Sequence, residues 1–380
     1  MNICILGATG SIGRQTFDVL KNLPNIQVKA MAASSDYKAL ADMAQVLRPS
    51  LVVLYDEEAA MQFKQLMPDI EVATGMEGLL QCATMPSVDL VVNAVVGSIG
   101  LKPTMAALNA KKHVALANKE ALVAAGALVM EAARKNNVEI RTMDSEHSAI
   151  WQCLQGSYKT DGVKRLILTA SGGPFRTWEK SKIAKVTAAD ALHHPNWNMG
   201  AKITIDCATM VNKGLEYLEA HWLFNMPYDK IDILVHPQSI IHSMVEYEDG
   251  AVLAQMSAPD MKQPIQYALG APAHMPRKHT PLDFTKVNLS FEEPDYRRFP
   301  CLALVIEAAK IGGTMPTMVN ALNEHLVSAF MKDAISFYDI SSIIEDAMGT
   351  YSVKSVENLS DIEETEAWAS EFFGRTITST

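Results

Sequence analysis

The chain has 380 residues, of which 48% are hydrophobic and 20% are charged, and its formal net charge is −10. At roughly 150 residues per domain, this length predicts two or three domains, each able to bury a core of its own. The acidic balance argues against a protein that mainly binds nucleic acid or an anionic membrane, but it is compatible with a local basic pocket for a small anion.

The sequence shows no sign of a membrane span or of an oxidising compartment. Its most apolar stretch, Ala121–Met130, is followed by Glu131 and is shorter than the roughly 18 apolar residues that a span requires. The N-terminus lacks a basic region, so no signal peptide is expected. The five cysteines are odd in number and widely spaced, without a C-x-x-C pair. This pattern is typical of reduced thiols, and we therefore expect a cytoplasmic enzyme.

Short runs of β-branched residues alternate with helical patterns through residues 1–143. This alternation predicts right-handed βαβ units, and hence an α/β, Rossmann-like domain with a parallel sheet and helices on both faces. The predicted helices include Ile12–Lys21, Asp36–Leu47 and the alanine-rich Glu120–Lys135. The predicted strands are Asn2–Leu6, Gln27–Ala32, Leu51–Tyr55, Glu71–Ala73, Leu90–Ala94, His113–Leu116 and Glu139–Thr142.

The rest of the chain predicts two further domains joined by a linker. Residues 144–269 mix strand patterns with loops rich in Gly, Pro, His and Trp, which is typical of an α+β catalytic domain. Residues 270–300 contain five prolines and little periodicity, as expected for a linker. Residues 301–380 show the i, i+3, i+4 apolar spacing of a small helical domain. The strands predicted in the second domain are Val163–Thr169, Ile231–Val235, Ser243–Tyr247 and Ala251–Met256.

A glycine-rich turn follows the first predicted strand and opens the first helix. Its pattern is G-x-x-G-x-x-G, from Gly7 through Gly10 to Gly13. Glycines at this point permit a tight turn and let backbone N–H groups approach a pyrophosphate at the positive end of the helix. This context predicts a dinucleotide site, and a glycine turn without a ligand is the less favoured alternative.

The end of the second predicted strand leaves the choice of dinucleotide open. An acidic residue there binds the ribose 2′-hydroxyl of NAD, whereas basic or small polar residues admit the 2′-phosphate of NADP. Ser34 and Ser35, with Arg14 nearby, slightly favour NADP, while Asp36 leaves NAD open.

Carboxylates are concentrated in Asp144-Ser145-Glu146-His147, where a strand is predicted to end and a helix to begin. Two carboxylates two residues apart in an extended chain would face the same side, which suits a hard divalent cation. Capping of the helix by Asp144 or Ser145 is an equally supported alternative.

Two further clusters are candidates for binding an anion. Ser171 precedes paired glycines after a strand and offers a hydroxyl and exposed amides, although a plain turn explains this pattern equally well. Asn212 and Lys213 could hold a phosphate, with Glu216 one helical turn from Lys213. Glu216 could also be an exposed helical acid, the commonest environment of glutamate. Trp197 stands in a polar loop bounded by proline and glycine, as expected of a mobile lid.

Seven motifs occur in order along the chain: GATGSIG (Gly7–Gly13), LANKEALV (Leu116–Val123), MDSEH (Met143–His147), ASGGPFR (Ala170–Arg176), HPNWNMG (His194–Gly200), ATMVNKGLE (Ala208–Glu216) and HPQSIIHS (His236–Ser243). Together they resemble the 1-deoxy-D-xylulose 5-phosphate reductoisomerase family over essentially the whole chain. The resemblance implies a homodimer that uses NADPH and Mg²⁺, Mn²⁺ or Co²⁺. It also implies conversion of 1-deoxy-D-xylulose 5-phosphate to 2-C-methyl-D-erythritol 4-phosphate, an isoprenoid precursor.

The resemblance further implies roles for individual residues. The metal ligands would be Asp144, Glu146 and Glu216. The catalytic residues would be Lys119, Glu146 and His194. The residues that bind the substrate would be Ser145, Glu146, Ser171, His194, Trp197, Cys207, Asn212, Lys213 and Glu216. The residues that bind the cofactor would be Thr9, Gly10, Ser11, Ile12, Ser34, Ser35, Asn118, Glu120, Met199 and Gly200.

The chemistry of these residues fits the implied reaction. A divalent cation can chelate the hydroxyl and carbonyl oxygens of a phosphorylated α-hydroxyketone, which supports carbon–carbon cleavage and rejoining before hydride transfer. Lys119 would stabilise charge on oxygen, and a closing lid would exclude water. Two other functions stay open. The first is a metal-free NAD(P)-dependent sugar or hydroxy-acid dehydrogenase, which would not require the three carboxylates. The second is an inactive nucleotide-sensing regulator, which would not require Lys119 or the Asn212-Lys213 pair.

The cofactor loop is one departure from the family pattern. Relatives often carry a glycine and a basic residue where this chain has Ser34-Ser35-Asp36. The preference for NADPH over NADH is therefore implied by the resemblance more than by these residues.

Cys207 is a second departure, because the family usually has serine at this position of the D-S-A-T-M motif. A thiol is a weak hydrogen-bond donor, so we expect a weakened phosphate contact without loss of activity. Cys207→Ser should lower the KM for the sugar phosphate by roughly two- to tenfold, the effect of one neutral hydrogen bond, with little change in kcat. An unchanged KM in steady-state kinetics would show that this expectation is wrong.

Overall fold

The computed structural model describes residues 1–155, 162–193, 197 and 199–378. The chain divides into two compact units that each combine segments distant in sequence. Unit 1 comprises Met1–Ala121, Val129–Ser148 and Asp260–His279. Unit 2 comprises the described residues of Leu122–Leu128, Ala149–Pro259 and Thr280–Thr380.

Unit 1 contains a seven-stranded sheet in which every neighbouring pair of strands is parallel. The strand order is β4-β3-β2-β1-β5-β6-β7, the doubly wound arrangement expected from the βαβ pattern. All seven strands predicted in residues 1–143 are confirmed, with ends that differ by one residue at most. Their bounds are β1 (Asn2–Leu6), β2 (Gln27–Ala33), β3 (Leu51–Leu54), β4 (Glu71–Thr74), β5 (Leu90–Asn93), β6 (His113–Leu116) and β7 (Ile140–Thr142).

Helices follow the strands of this sheet, as a parallel arrangement requires. Two of them begin at aspartate caps: Asp36 accepts a hydrogen bond from the N–H of Ala39, and Asp56 accepts one from the N–H of Ala59. The bounds are α1 (Ser11–Leu20), α2 (Tyr37–Leu47), α3 (Glu57–Leu66), α4 (Gly75–Thr84), α5 (Leu101–Asn109), α6 (Glu120–Asn136) and α7 (Ser145–Leu154), with a 3₁₀ turn at Ser98–Gly100.

A helix from much later in the chain completes unit 1. This helix, Lys262–Gly270, packs against α1 and β7 and adds Ile265, Ala268 and Leu269 to the core of the unit. Its Lys262 Nζ lies 2.9 Å from Asp18 Oδ2 on α1. Nothing local in the sequence predicts this return, because it depends on burial of one apolar face against a distant helix.

The strand order reverses direction between β1 and β5, which is where ligands bind in open α/β sheets. The backbone segments that follow β1 and β5 lie very close together there. A Cβ atom on Gly7 would lie 2.5 Å from the carbonyl oxygen of Ala94, just beyond β5, and the φ of Gly7 is +81°. Only glycine satisfies both constraints, so the first glycine of the motif is fixed by the fold.

Unit 2 is built on a mixed four-stranded sheet of order β11-β10-β8-β9. Strand β10 pairs in antiparallel fashion with β11 and β8, whereas β8 and β9 are parallel. The four strands predicted for the α+β segment are confirmed to within two residues. Their bounds are β8 (Val163–Ala170), β9 (Ile231–Val235), β10 (Ile241–Tyr247) and β11 (Val252–Met256).

The helices of unit 2 bury one large core that extends from this sheet to the C-terminal segment. The helical character predicted for residues 301–380 is confirmed for the described residues. In chain order after α7, the bounds are α8 (Lys180–Ile183), α9 (Ala188–Ala191), α10 (Ala201–Thr209), α11 (Val211–Phe224), α12 (Lys262–Gly270, the helix of unit 1 above), α13 (Pro300–Ile311), α14 (Met315–Met331), α15 (Phe337–Thr350) and α16 (Leu359–Thr378), with a 3₁₀ turn at Tyr228–Lys230.

Across the described residues, every helix is too short or too polar to cross a bilayer.

The contact between α11 and α13 generates a prediction about packing. A Cβ on Gly214 would lie 2.6 Å from the Cβ of Val305, so Gly214→Ala should overpack this contact. We expect the free energy of unfolding to fall by about 1–3 kcal/mol, although alanine favours a helix more than glycine does.

Gly349→Ala is the matched control, because a Cβ on Gly349 of α15 meets no atom within 4 Å. This substitution should raise the free energy of unfolding by about 0.5–1 kcal/mol. Urea denaturation of both variants measures the two effects. If both substitutions change stability in the same direction, the close helix contact is not as described.

Candidate active site

The carboxyl ends of β2, β1, β5, β6 and β7 lie in this order along one edge of the unit 1 sheet. At about 4.8 Å between neighbouring strands, the loops that follow them spread over about 19 Å. In the same order, these loops and the helix starts that follow them contain residues 34–36, 7–13, 95–100, 118–120 and 144–147. Every candidate site residue that belongs to unit 1 therefore lies on one edge of the sheet.

The glycine-rich turn after β1 packs closely against the start of α1. A Cβ on Gly13 would lie 2.3 Å from the carbonyl oxygen of Gly7, so the turn closes tightly on the start of α1. Gly10 is the N-cap of α1, and because glycine has no side chain, it does not cap the first N–H groups of the helix. The residues Thr9 to Ile12 thus bring the positive end of α1 to the switch point of the sheet, which fits a dinucleotide.

The loop after β2 contains Ser34 and Ser35, and both are exposed. The next residue, Asp36, caps α2 and also pairs with Arg14 of α1, with 2.9 Å between Asp36 Oδ2 and Arg14 Nη2. The acidic residue that would mark an NAD site is therefore neutralised by a guanidinium from the neighbouring turn.

The loop after β5 packs against the candidate cofactor residue Asn118, and the sequence analysis did not single it out. Asn118 Nδ2 lies 2.8 Å from the carbonyl oxygen of Gly97 and 3.0 Å from Glu120 Oε2. A Cβ on Gly100 would lie 2.5 Å from the side chain of Asn118, and Asn93 Nδ2 donates to the carbonyl oxygen of Gly100. Two glycines directly after a predicted strand were the available signal. Asn118 and Glu120 are thus fixed beside this loop.

A buried ion pair joins the ends of β6 and β7. Leu116 and Thr142, the last residues of these strands, are paired in the sheet, so the residues just beyond them meet. Lys119 Nζ lies 2.9 Å from Asp144 Oδ2, and the two side chains are 10% and 15% exposed. Burial raises the pKa of the Asp144 carboxyl, but the Lys119 ammonium and the neighbouring His147 outweigh it and hold that pKa well below its usual range.

The carboxylates of 144–147 stand at a helix start. The expectation that Asp144 and Glu146 lie in an extended chain is wrong, because α7 begins at Ser145 and the N–H of Glu146 donates to Asp144 Oδ1 at 3.1 Å. The capping alternative is therefore confirmed for Asp144. Ser145 Oγ donates to Glu146 Oε2, and His147 Nδ1 lies 3.1 Å from Asp144 Oδ1. The i, i+3 spacing of Asp144 and His147 could have predicted this last contact.

In unit 2, the turn after β8 lies against the end of α10. The N–H of Gly173 donates to Ser171 Oγ at 3.2 Å. Gly172 and Gly173 have φ values of +81° and +71°, and a Cβ on Gly173 would lie 2.7 Å from the carbonyl oxygen of Cys207. Cys207 itself is partly exposed, whereas the other four cysteines are buried. The fold thus brings the Ser171 hydroxyl and the Cys207 segment together.

The first turn of α11 carries the Asn-Lys pair. Met210, with a φ of +64°, joins α10 to α11 and turns the chain sharply. Asn212 Nδ2 donates to Glu216 Oε1, and Lys213 Nζ pairs with Glu216 Oε2. Glu216 is 1% exposed, so the alternative of an exposed helical acid is wrong. Glu216 is a buried carboxylate with an ammonium and an amide from its own helix as partners.

The predicted lid is described only in part. His194 lies outside the described residues, as do Pro195, Asn196 and Asn198 of its motif. The ring centroids of Trp197 and His242 are 6.1 Å apart. Nε2 of His242 lies 2.9 Å from Ser257 Oγ. Met199 is half-buried, and Gly200 is the N-cap of α10, with open space where its Cβ would be.

These features define the class of the protein. The protein is a Rossmann-type oxidoreductase. Its doubly wound parallel sheet has a glycine-rich turn at the switch point, and a buried lysine and carboxylates lie at the end of the same edge.

Three family models match the chain. One for 1-deoxy-D-xylulose 5-phosphate reductoisomerase covers residues 3–126. A model of its C-terminal domain covers 140–224, and a model of the DXP reductoisomerase C-terminal domain covers 256–372. The chain belongs to the 1-deoxy-D-xylulose 5-phosphate reductoisomerase family.

Individual relatives agree with this assignment over the full length. The chain is 50% identical to the 1-deoxy-D-xylulose 5-phosphate reductoisomerase of Heliobacterium modesticaldum, over 97% of this chain and 96% of the relative. The solved enzyme of Zymomonas mobilis in complex with NADPH is 42% identical, with a TM-score of 0.92 over 99% of this chain and 98% of the other. A DOX-P reductoisomerase in complex with NADPH, fosmidomycin and magnesium is 36% identical, with a TM-score of 0.95 over 100% and 98%.

Proposed function

We propose that the protein converts 1-deoxy-D-xylulose 5-phosphate to 2-C-methyl-D-erythritol 4-phosphate with NADPH and a divalent metal ion. The observation that carries this proposal is 50% identity to a reductoisomerase over 97% of the chain. Two solved relatives are complexes with NADPH, and one of them also contains magnesium, which supports the same requirements here.

The cofactor would bind along the edge of the unit 1 sheet. Residues Thr9 to Ile12 would face the pyrophosphate, since they form the N-terminal end of α1, where the helix dipole favours an anion. When bound, NADPH supplies the hydride. We propose further contacts to the cofactor from Ser34, Ser35, Asn118, Glu120, Met199 and Gly200.

The metal ligands would be Asp144, Glu146 and Glu216. Their carboxylate oxygens are the hard donors that Mg²⁺ prefers. A bound cation supplies Lewis acidity to the hydroxyl and carbonyl oxygens of the substrate. Asp144 is held ionised by Lys119, so it can bind a cation without first losing a proton.

Lys119 would act directly on the substrate. Its side chain is 10% exposed, and in a site with so little water its ammonium would stabilise negative charge on a substrate oxygen far better than water does. His194 is proposed as a second residue at the reacting carbons, on the strength of the family motif alone.

The substrate phosphate would bind in unit 2. Asn212 and Lys213 stand in the first turn of α11, where the helix dipole also favours an anion. Ser171 and Cys207, whose segments are in contact, would complete the phosphate site. Binding energy from this anchor positions the reacting carbons, which contribute little binding of their own. Trp197 would belong to the loop that closes over the substrate and excludes water.

The proposed homodimer has a candidate surface at the edge of the unit 2 sheet. Within the described part of the chain, β11 is an edge strand that pairs in the sheet with β10 alone, and its Val252 and Leu253 are 48% and 47% exposed. Exposed apolar edge strands are sites where another chain adds to a sheet.

A reducing cytoplasm is proposed from the state of the thiols. The described residues include all five cysteines, and none of them forms a disulfide; burial raises the pKa of Cys82 and Cys301 to about 12 and that of Cys153 to about 11. Such thiols are poor nucleophiles and poor redox groups.

A single spectrophotometric assay tests the proposed function. Purified protein should oxidise NADPH when 1-deoxy-D-xylulose 5-phosphate and Mg²⁺ are both present. After EDTA treatment and desalting, the rate should fall at least about 100-fold and return on addition of Mg²⁺, because the reaction depends on Lewis-acid catalysis. Full turnover without metal would instead identify a metal-free dehydrogenase. No oxidation with substrate and metal present would identify a binding protein.

A further inference from the structure

We propose that Arg14 and Asp36 form the 2′-phosphate site of this chain, in which Arg14 selects NADPH over NADH and Asp36 limits how tightly NADPH binds. The proposal rests on the proposed function, since it assumes that the glycine-rich turn binds a nicotinamide dinucleotide.

Neighbouring strands bring the two residues together. Arg14 lies in the first turn of α1, directly after β1, and Asp36 follows β2. The ends of these strands are paired, with Leu6 opposite Ala32. In Rossmann domains the adenosine ribose lies at the end of the second strand, so this pair stands beside the 2′ substituent of a bound dinucleotide.

The guanidinium of Arg14 is oriented by two hydrogen bonds. Its Nε donates to the carbonyl oxygen of Thr9 at 2.8 Å, and its Nη2 donates to Asp36 Oδ2 at 2.9 Å. The first of these bonds ties the side chain to the glycine-rich turn itself. The two side chains remain 54% and 47% exposed, so a ligand can reach the pair. A guanidinium held in this way is already positioned for a phosphate oxygen.

Asp36 is in the position of the acidic residue that binds the ribose diol in NAD enzymes, but its two oxygens already have partners. Oδ1 accepts a hydrogen bond from the N–H of Ala39 and caps α2, while Oδ2 accepts one from Arg14. Each oxygen keeps a second lone pair, but the Arg14 guanidinium offsets the negative charge that would attract a ribose hydroxyl. The carboxylate therefore serves the helix and the arginine and gives NADH little advantage.

A 2′-phosphate would change the balance of charge at this pair. It brings up to two negative charges and can accept two parallel hydrogen bonds from Arg14. Its charge is repelled by Asp36, which also competes for Arg14. Ser34 and Ser35, both exposed, offer hydroxyl donors on the same loop. NADPH thus gains from Arg14 and loses part of that gain to Asp36.

Direct binding of dinucleotides to the metal-free protein tests this proposal. For Arg14→Gln, the Kd for NADPH should rise roughly tenfold, as expected for one charge-assisted hydrogen bond, while the Kd for NADH should change less than about twofold. For Asp36→Asn, which keeps a residue that caps helices well, the Kd for NADPH should fall roughly threefold. In the double variant, the part of this gain that comes from competition for Arg14 should disappear, so the two substitutions should not be additive.

The controls separate this site from general charge effects and from folding defects. Lys21→Gln removes one positive charge from the other end of α1, where Lys21 pairs with Asp18, and should leave both Kd values unchanged. Adenosine 2′,5′-bisphosphate and AMP differ only in the 2′-phosphate, so calorimetry with both gives a readout independent of turnover. Arg14→Lys, which keeps the charge but loses the planar fork, should give a Kd for NADPH between those of wild type and Arg14→Gln.

Each other outcome has a distinct meaning. If Arg14→Gln weakens NADPH and NADH equally, Arg14 only shapes the glycine-rich turn and the proposal is wrong. Unchanged NADPH binding in Arg14→Gln, or weaker NADPH binding in Asp36→Asn, also overturns it. If the wild-type protein binds neither dinucleotide, the proposed function fails first.

Discussion

The ion pair between Lys119 and Asp144 is the interaction on which the proposed chemistry depends. It exists because β6 and β7 are adjacent and parallel, so the residues just beyond Leu116 and Thr142 meet at one edge of the sheet. In this nearly dry environment, each charge requires the other, since an unpaired buried charge costs several kcal/mol. The pair therefore keeps an ionised carboxylate and an ammonium together, which are the two groups that a metal-assisted reduction needs.

Unit 2 likewise contains a buried carboxylate that is paired with a lysine. Glu216 is buried and pairs with Lys213, one turn earlier on α11. In each unit, therefore, a carboxylate assigned to the metal is paired with a lysine assigned to the substrate. We infer that a cation and a phosphorylated substrate can each replace one partner of these pairs. Binding of only one of them leaves a buried charge without a partner, whereas binding of both does not, which is a physical reason for cation and substrate to bind together.

Much of the fold could be predicted from the sequence, because the hydrophobic pattern reports local structure directly. Most of the strands are short, buried apolar runs, so their positions can be predicted to within two residues. Two features could not be predicted locally. The helix 262–270 joins unit 1 through contacts with α1, far away in sequence, and the loop at Gly97–Gly100 matters because Asn118 packs against it. At the candidate site, the sequence predicted a group of carboxylates around Asp144 but not their geometry. Asp144 caps α7, which begins at Ser145, so Asp144 and Glu146 do not lie in an extended chain.

Mn²⁺ titration of wild type and Lys119→Gln, followed by electron paramagnetic resonance, tests the central claim most directly. If Lys119 and the cation share Asp144, removing the ammonium should tighten Mn²⁺ binding, by roughly tenfold for one charge at this distance in a partly buried site, while turnover is lost. Asp144→Asn should abolish Mn²⁺ binding in the same titration. Weaker or unchanged Mn²⁺ binding in Lys119→Gln would contradict the account, since it would show that Asp144 does not exchange its lysine for the metal.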